Sequence, residues 1–241
     1  MDLDETRLYL LDIEGTICPI SFVKETLYGY TLKALHRIAT TKWDDPEFAN
    51  VRNDFPPFAK ENPEALCAHV TELQKNDVKI AYLKNLQGYV WRSGYESGEI
   101  VTPLFPDVVY RLEEMVYGGK KLAIFSSGSV GAQKLFFKYV KITEQDGSEI
   151  VKDIGSYFVG FFDTVNAGPK TEPKSYERIA EQLGFRTTQI AFVTDSKKEV
   201  SAASDAGMTA FLIDRPGNPP LEPNDHMQYR IIKDLNGIDI L

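Results

Sequence analysis

Short apolar runs, each ending on a polar residue, punctuate this chain, and a different rhythm separates the first run from the rest. Arg7-Leu8-Tyr9-Leu10-Leu11 stops at Asp12, Lys121-Leu122-Ala123-Ile124-Phe125 at Ser126, and Gln189-Ile190-Ala191-Phe192-Val193-Thr194 at Asp195. Consecutive apolar positions over so few residues predict strands buried on both faces. Weaker runs, Tyr157 to Phe162 before Asp163 and Met208 to Ile213 before Asp214, predict two more. Helical spacing follows several of them. Val108, Leu112, Met115 and Val116 share a face behind Pro106, which is expected at the first helical position. Ala132, Leu135, Phe136 and Tyr139 form a second stripe, and Tyr176, Ile179, Ala180 and Leu183 a third, stopped by Gly184. Strands alternating with helices predict a parallel sheet covered on both faces.

From about residue 19 to 102 no run reads as a strand. Helical stripes replace them: Val23, Thr26, Leu27 and Tyr30; Leu66, Val70 and Leu73; Tyr82, Leu86, Tyr89 and Val90. Pro46, Pro56, Pro57 and Pro63 punctuate the segment. The fold expected is therefore α/β, a Rossmann-like parallel sheet core with an all-helical cap inserted after the first strand. Residues 1–18 and 103–241 would make the core, and 19–102 the cap, placed above the end of the sheet where the first strand stops.

Composition narrows the function. The formal net charge is −8, the pI is near 5.0, and no Lys/Arg cluster is present to track a phosphate backbone. Nucleic acid and anionic membrane are thereby disfavoured as partners. No window approaches the ~18 consecutive apolar residues of a membrane span. The acidic start, Met-Asp-Leu-Asp-Glu-Thr-Arg, is unlike a secretory signal. The two cysteines, Cys18 and Cys67, suit a reducing compartment. A cytoplasmic protein is expected, with a nuclear pool left open. An acidic protein that binds a small anion must attract it with a local cation.

Ligands of an open parallel sheet bind beyond the carboxyl ends of its strands, where Asp12, Ser126 and Asp195 fall. In Asp12-Ile13-Glu14-Gly15-Thr16, two acids leave the strand into a turn. Asp12 can act as a nucleophile that forms a covalent phosphoryl intermediate, and Glu14 as the acid and base. The bland alternative is a strand-end Asp before an acidic turn. Ser126-Ser127-Gly128-Ser129 can offer a hydroxyl from Ser126 and a backbone N–H from Ser127 to phosphate oxygens, or merely cap a helix. Lys170, in Gly168-Pro169-Lys170-Thr171-Glu172-Pro173-Lys174, can neutralise nucleophile and phosphoryl group together, or be an ordinary exposed loop lysine. Asp195 can complete an oxygen-only shell for Mg²⁺, or be a helix N-cap.

Taken in order, acid pair, Ser, Lys and Asp, each after a strand, resemble the four motifs of the haloacid dehalogenase superfamily. Pro173 and Tyr176 fall where expected after Lys170, and Glu14 stands in place of the usual second Asp. Leu10 through Val23 further resembles the opening of the enolase-phosphatases, also called acireductone synthases. Gln87-Gly88-Tyr89-Val90-Trp91, Gly94-Tyr95-Glu96-Ser97-Gly98 and Arg215-Pro216-Gly217-Asn218 resemble that family as well. This second resemblance runs nearly end to end. It implies an enzyme of methionine salvage that enolises 2,3-diketo-5-methylthiopentyl-1-phosphate and then dephosphorylates it. It also implies one Mg²⁺ per subunit on Asp12, Glu14 and Asp195, with Ser126, Ser127 and Lys170 on the substrate. Across the wider superfamily the second acid usually reaches the metal by its backbone carbonyl, so Glu14 can serve both roles. A monomer acting on a small phosphorylated metabolite is the corresponding expectation.

Other residues add less. His36, His69 and His226 lack metal-ligand spacing and read as surface or packing residues. Cys18 lies near Asp12 without a histidine partner in sequence, which disfavours a thiol nucleophile, and Cys67 reads as a small core residue. Tyr89 reads as packing, while Trp91 and Tyr95 are open between packing and a substrate pocket. A haloacid dehalogenase would need neither Glu14 nor Asp195. A phosphatase for another small substrate, such as a sugar phosphate, is a closer rival. A phospho-aspartate signalling or binding module needs only ~120 residues and would leave the helical insertion unexplained.

Overall fold

In the computed structural model, which describes residues 6–144 and 146–238, the three strongest apolar runs are neighbouring strands. The chain forms β1 (Leu8–Leu11), β2 (Thr102–Pro103), β3 (Lys121–Phe125), β4 (Val140–Thr143), β5 (Glu149–Lys152), β6 (Phe158–Phe162), β7 (Ile190–Thr194), β8 (Thr209–Ile213) and β9 (Arg230–Ile232). Six of them make one sheet in the order β6-β3-β1-β7-β8-β9, with every pairing parallel. The α/β class expected from the sequence is the observed one. The acidic start read above lies, through residue 5, outside the described residues.

Leu8, Leu10, Phe125, Phe192 and Leu212 belong to one continuous buried cluster, and β1 is inaccessible along its whole length. Burial on both faces is why these strands read as uninterrupted apolar runs. The helices α5 (Val108–Tyr117), α6 (Val130–Lys138), α7 (Pro173–Leu183) and α8 (Lys197–Asp205) follow or precede strands as the alternation predicts. Gly184 ends α7 with φ of 74°, a left-handed conformation in which a side chain would be strained.

Two helical details differ from the pattern. Asp107 is the N-cap of α5, so Pro106 belongs to the preceding turn and not to the first helical position. In α6 the buried residues are Gln133, Phe136 and Phe137, while Ala132, Leu135 and Tyr139 are only half-buried. Gln133 turns inward because Nε2 donates to Gly128 O at 2.8 Å and to Phe162 O at 2.9 Å. Those two bonds satisfy the amide nitrogen, while Oε1 is left without a hydrogen-bond partner among the described residues, and apolar periodicity does not register such a side chain. Nor does periodicity register β2, β4 and β5, which form a small sheet of their own, with Val151 about half exposed.

By its contacts the chain divides into two compact units, residues 1–20 with 102–241, and residues 21–101. The second contains α1 (Tyr28–Lys42), α2 (Pro46–Asn53), α3 (Pro63–Lys75) and α4 (Ala81–Glu96) and no strand among its described residues. A π-helical turn, Phe22–Leu27, leads into α1. Pro46 and Pro63 open their helices behind the N-caps Asp45 and Asn62. Asp45 Oδ1 accepts from Glu47 N at 3.0 Å, and Asn62 Oδ1 from Ala65 N at 2.8 Å. Leu35, Phe48, Leu66, Val70, Leu86 and Val90 form its core. Thr26, counted in the first stripe, is exposed. Of the two aromatics left open, Trp91 is held within this unit. Trp91 Nε1 donates to Leu27 O at 2.9 Å and Thr31 Oγ1 at 2.8 Å, its ring stacks on Tyr28, and Tyr95 is buried.

Candidate active site

Three adjacent parallel strands, β3, β1 and β7, bring Ser126, Asp12 and Asp195 to one end of the sheet. The register sets Leu11 against Ile124 on one side and Val193 on the other, and Asp12 N continues the ladder to Val193 O at 3.0 Å. After β1 the chain builds β3 and β6 on one flank and then β7, β8 and β9 on the other. Such a reversal opens a crevice at the carboxyl ends of the central strands.

Lys170 is the residue on which this crevice closes. Its ammonium lies 2.7 Å from Asp12 Oδ1 and 2.7 Å from Glu199 Oε2, with the side chain 8% exposed. The exposed-lysine alternative is therefore excluded. Burial alone would lower its pKa, but the Asp12 and Glu199 carboxylates outweigh that and hold it above the ordinary lysine value. The rings of Phe125 and Phe192 flank the ammonium at 5.6 and 5.9 Å. Tyr176 Oη donates to Lys170 O at 2.6 Å and anchors the backbone. Glu199, from the first turn of α8, also accepts from Thr194 Oγ1 at 2.8 Å. Glu199 is not distinguished by its sequence context, because an acid in a first helical turn is commonplace.

Asp195 sits beside this network without a share of the lysine. Burial first, then the Asp12 and Glu199 charges, push its carboxyl up to about 7. It is not a helix cap, for Ser196 occupies that position in α8. Ser126 is likewise not the cap of α6. That place belongs to Ser129, whose Oγ accepts from Ala132 N at 3.3 Å, while Asp163 Oδ2 accepts from Val130 N at 3.0 Å. The Ser126 hydroxyl is left with Gly128 N at 3.4 Å, a long contact. Ser127 is half-buried in the same loop. Cys18 is buried, and desolvation followed by the Glu14 charge drives its thiol far above the usual range. It is not a nucleophile.

Glu14 and Gly15 form the turn that leaves Asp12. Gly15 has φ of 73°, and a Cβ there would collide with the Asp195 carboxylate and reach 3.0 Å from Asn218 Oδ1. Only glycine lets this backbone pass so close. The loop after β8 braces the same turn: Arg215 Nε donates to Thr16 O at 2.9 Å, and Asn218 Nδ2 to Gly15 O at 2.9 Å. Arg215 in turn grips both oxygens of Asp107 at 2.7 and 2.9 Å. Among the described residues, no three His, Cys, Asp or Glu side chains converge as a cation site. Two clustered carboxylates, Asp12 and Asp195, with an excess of negative charge around the second, nevertheless fit a hard cation that takes oxygen ligands and keeps several waters.

Residues 6–207 match the family described as haloacid dehalogenase-like hydrolase. The chain belongs to that family and is a phosphatase-type hydrolase. Its relatives are more particular. It is 47% identical to enolase-phosphatase E1 of Podospora anserina over 95% of this chain and 96% of that one. It is also 47% identical to enolase-phosphatase E1 of Neurospora crassa, over 96% and 97%. Among solved structures, the UTR4 protein of Saccharomyces cerevisiae superposes with a TM-score of 0.82 at 40% identity, covering 95% of this chain and 98% of that one. Within the hydrolases, the chain stands with the enolase-phosphatases.

Proposed function

We propose that this protein is the enolase-phosphatase of methionine salvage. It enolises 2,3-diketo-5-methylthiopentyl-1-phosphate and then dephosphorylates the product to the acireductone 1,2-dihydroxy-3-keto-5-methylthiopentene. The observation that carries the reading is the Asp12–Lys170–Glu199 network at the sheet's switch point, in a chain 42–47% identical to enolase-phosphatases over nearly its whole length.

In this reading Asp12 attacks phosphorus, its Oδ–P bond forming as the bond to the substrate oxygen breaks. Glu14 gives that oxygen a proton, then takes one from the water that hydrolyses the aspartyl-phosphate. Lys170 offsets the negative charge that would oppose an anionic phosphoryl group approaching Asp12. The Ser126 hydroxyl and Ser127 backbone hold phosphoryl oxygens. Asp12, Glu14 and Asp195 hold one Mg²⁺ per subunit, which when bound offsets charge on the phosphoryl group and on an enolate oxygen. Glu14 is also a candidate for the base that removes the carbon-bound proton. Slowed deuterium wash-in by Glu14→Gln supports that role, and unchanged exchange removes it.

Residues 19–102, which contain the helical unit 21–101, act as the cap domain of the catalytic core. The same reading makes the protein a cytoplasmic monomer, with a nuclear pool left open, and gives it neither nucleic acid nor membrane as a partner. Its charge of −8 supports this, and no described helix is long and apolar enough to cross a membrane. The test follows phosphate release from the diketo phosphate with and without Mg²⁺, with enediol absorbance read in the same cuvette. An absorbing intermediate followed by metal-dependent release is expected. Release from simple phosphate esters but not from this substrate would leave a phosphatase of another specificity.

A further inference from the structure

Gln133 is buried in the core with one side of its amide unbonded. Only 2% of the residue is exposed. Its Nε2 donates to Gly128 O at 2.8 Å and to Phe162 O at 2.9 Å, which uses both amide hydrogens and fixes the amide's orientation. Oε1 is thereby shut off from solvent with no hydrogen-bond partner among the described residues. A buried acceptor without a donor costs stability, and an apolar side chain of the same shape would avoid that cost. Local rules broken in this way are expected where a residue serves function. The two carbonyls indicate which function. Gly128 lies in the Ser126–Ser129 loop between β3 and α6, and Phe162 O also accepts from Ser126 N at 3.1 Å. One amide therefore ties the middle of the loop to the strand end that receives its first residue.

We propose that Gln133 is a positioning residue for phosphate binding. It holds the Gly128 carbonyl in the core, so that the loop presents the Ser126 hydroxyl and the Ser127 backbone to a phosphoryl group. This role, which rests on the phosphate-binding reading of the loop given above, answers a need of the backbone. Gly128 has no Cβ, and its dihedral angles are less restricted than those of any other residue type. Without the Nε2 donor the Gly128–Ser129 peptide is free to turn over, which would bring a carbonyl oxygen toward the anion and repel it. The loop's other anchors lie beyond Gly128. Ser129 Oγ accepts from Ala132 N and Asp163 Oδ2 from Val130 N. They fix where α6 begins and leave the Gly128 carbonyl to Gln133.

Orthophosphate serves as the probe, its dissociation constant measured by titration calorimetry with Mg²⁺ present. The wild type, Gln133→Met, Gln133→Glu and Ser126→Ala are compared, with thermal unfolding followed on the same samples. Gln133→Met keeps the shape and removes both donors together with the unpaired oxygen. Its unfolding midpoint is expected to stay within about 4 °C of wild type, while its orthophosphate affinity falls about tenfold or more, the scale of misplacing a group that holds the substrate. Gln133→Glu keeps at most one donor, as the neutral acid, and is expected to lose about threefold or more, though less than Gln133→Met. Unchanged affinity in Gln133→Met, with affinity weakened in Ser126→Ala, overturns the proposal and leaves Gln133 a packing residue. Should the Met variant not fold, the Glu variant decides alone, and affinity equal to wild type overturns the proposal. Unchanged affinity in Ser126→Ala would instead remove this loop as the phosphate site, and the role of Gln133 with it.

Discussion

Lys170 and Glu199 show how much of the chemistry depends on single contacts. The ammonium is shared between Asp12 and Glu199 at 2.7 Å each, so removing either acid changes where it points. Lys170→Ala is expected to lower kcat about 10²–10³-fold, the scale of losing one preorganised charge-stabilising group. Glu199→Gln should retain the fold, lower kcat less than Lys170→Ala, and reduce stability by about 1–3 kcal/mol, since Thr194 and Lys170 keep other partners. Steady-state kinetics beside thermal unfolding would separate the two, and an unaltered kcat in Glu199→Gln would dismiss it as a positioning group. At this scale the sequence was informative where a polar residue ended an apolar strand, as with Asp12, Ser126 and Asp195. It was silent where function depends on an approach in space. Lys170 lies among Gly, Pro and Thr and reads as an exposed loop, yet its side chain is buried with the ammonium beside the rings of Phe125 and Phe192.

Elements hold those residues in place. The turn after β1 has room only for glycine, so Gly15→Ala would face a left-handed backbone and a collision with Asp195. The backbone strain costs roughly 1–2 kcal/mol, and the displaced carboxylate is expected to cost far more in activity than in stability. Near-normal kcat in a folded Gly15→Ala would contradict this. The Arg215–Asp107 pair braces the same turn from the loop after β8. Burial would raise the Asp107 pKa, but the Arg215 guanidinium and the Leu235 N–H outweigh it and hold the carboxyl below its ordinary value. A depressed carboxyl stabilises the fold above its unfolded pKa and loses that contribution as pH falls through the folded value. Asp107→Asn should therefore be less stable than wild type near neutrality, by about 3–5 kcal/mol for a broken buried pair. The gap should close below about pH 4, and denaturant unfolding from pH 7 to 2 would show it; a gap that persists to the lowest pH would refute the linkage. Strands buried on both faces were readable as apolar runs. The β4–β5 hairpin was not, because Ile150 and Val151 are partly exposed and make only a two-residue apolar run between Glu149 and Lys152. Nor was β9, three residues long with only Ile232 buried.

For the whole molecule, the parallel sheet's order decides which distant segments meet. Residues 12, 126, 170 and the pair 195 and 199 come from four places in the sequence, and three of those places meet because β1 lies between β3 and β7. Their spacing along the chain conveyed the order of motifs, whereas the strand order had to come from the structure. A chain of net charge −8 repels a phosphorylated substrate at long range, so attraction must arise locally, from Lys170 and the cation its carboxylates would hold. The proposed function converges on a carboxylate oxygen of Asp12 as the atom that would receive the phosphoryl group. The direct test is to quench the wild type and Asp12→Asn in acid during turnover of the diketo phosphate, with Mg²⁺ present, and to map phosphate on peptides by mass spectrometry. Phosphate is expected on Asp12 in the wild type, with none in the variant and phosphate release reduced about 10³-fold or more. Turnover with no phosphorylated Asp12, or full activity in Asp12→Asn, would contradict it.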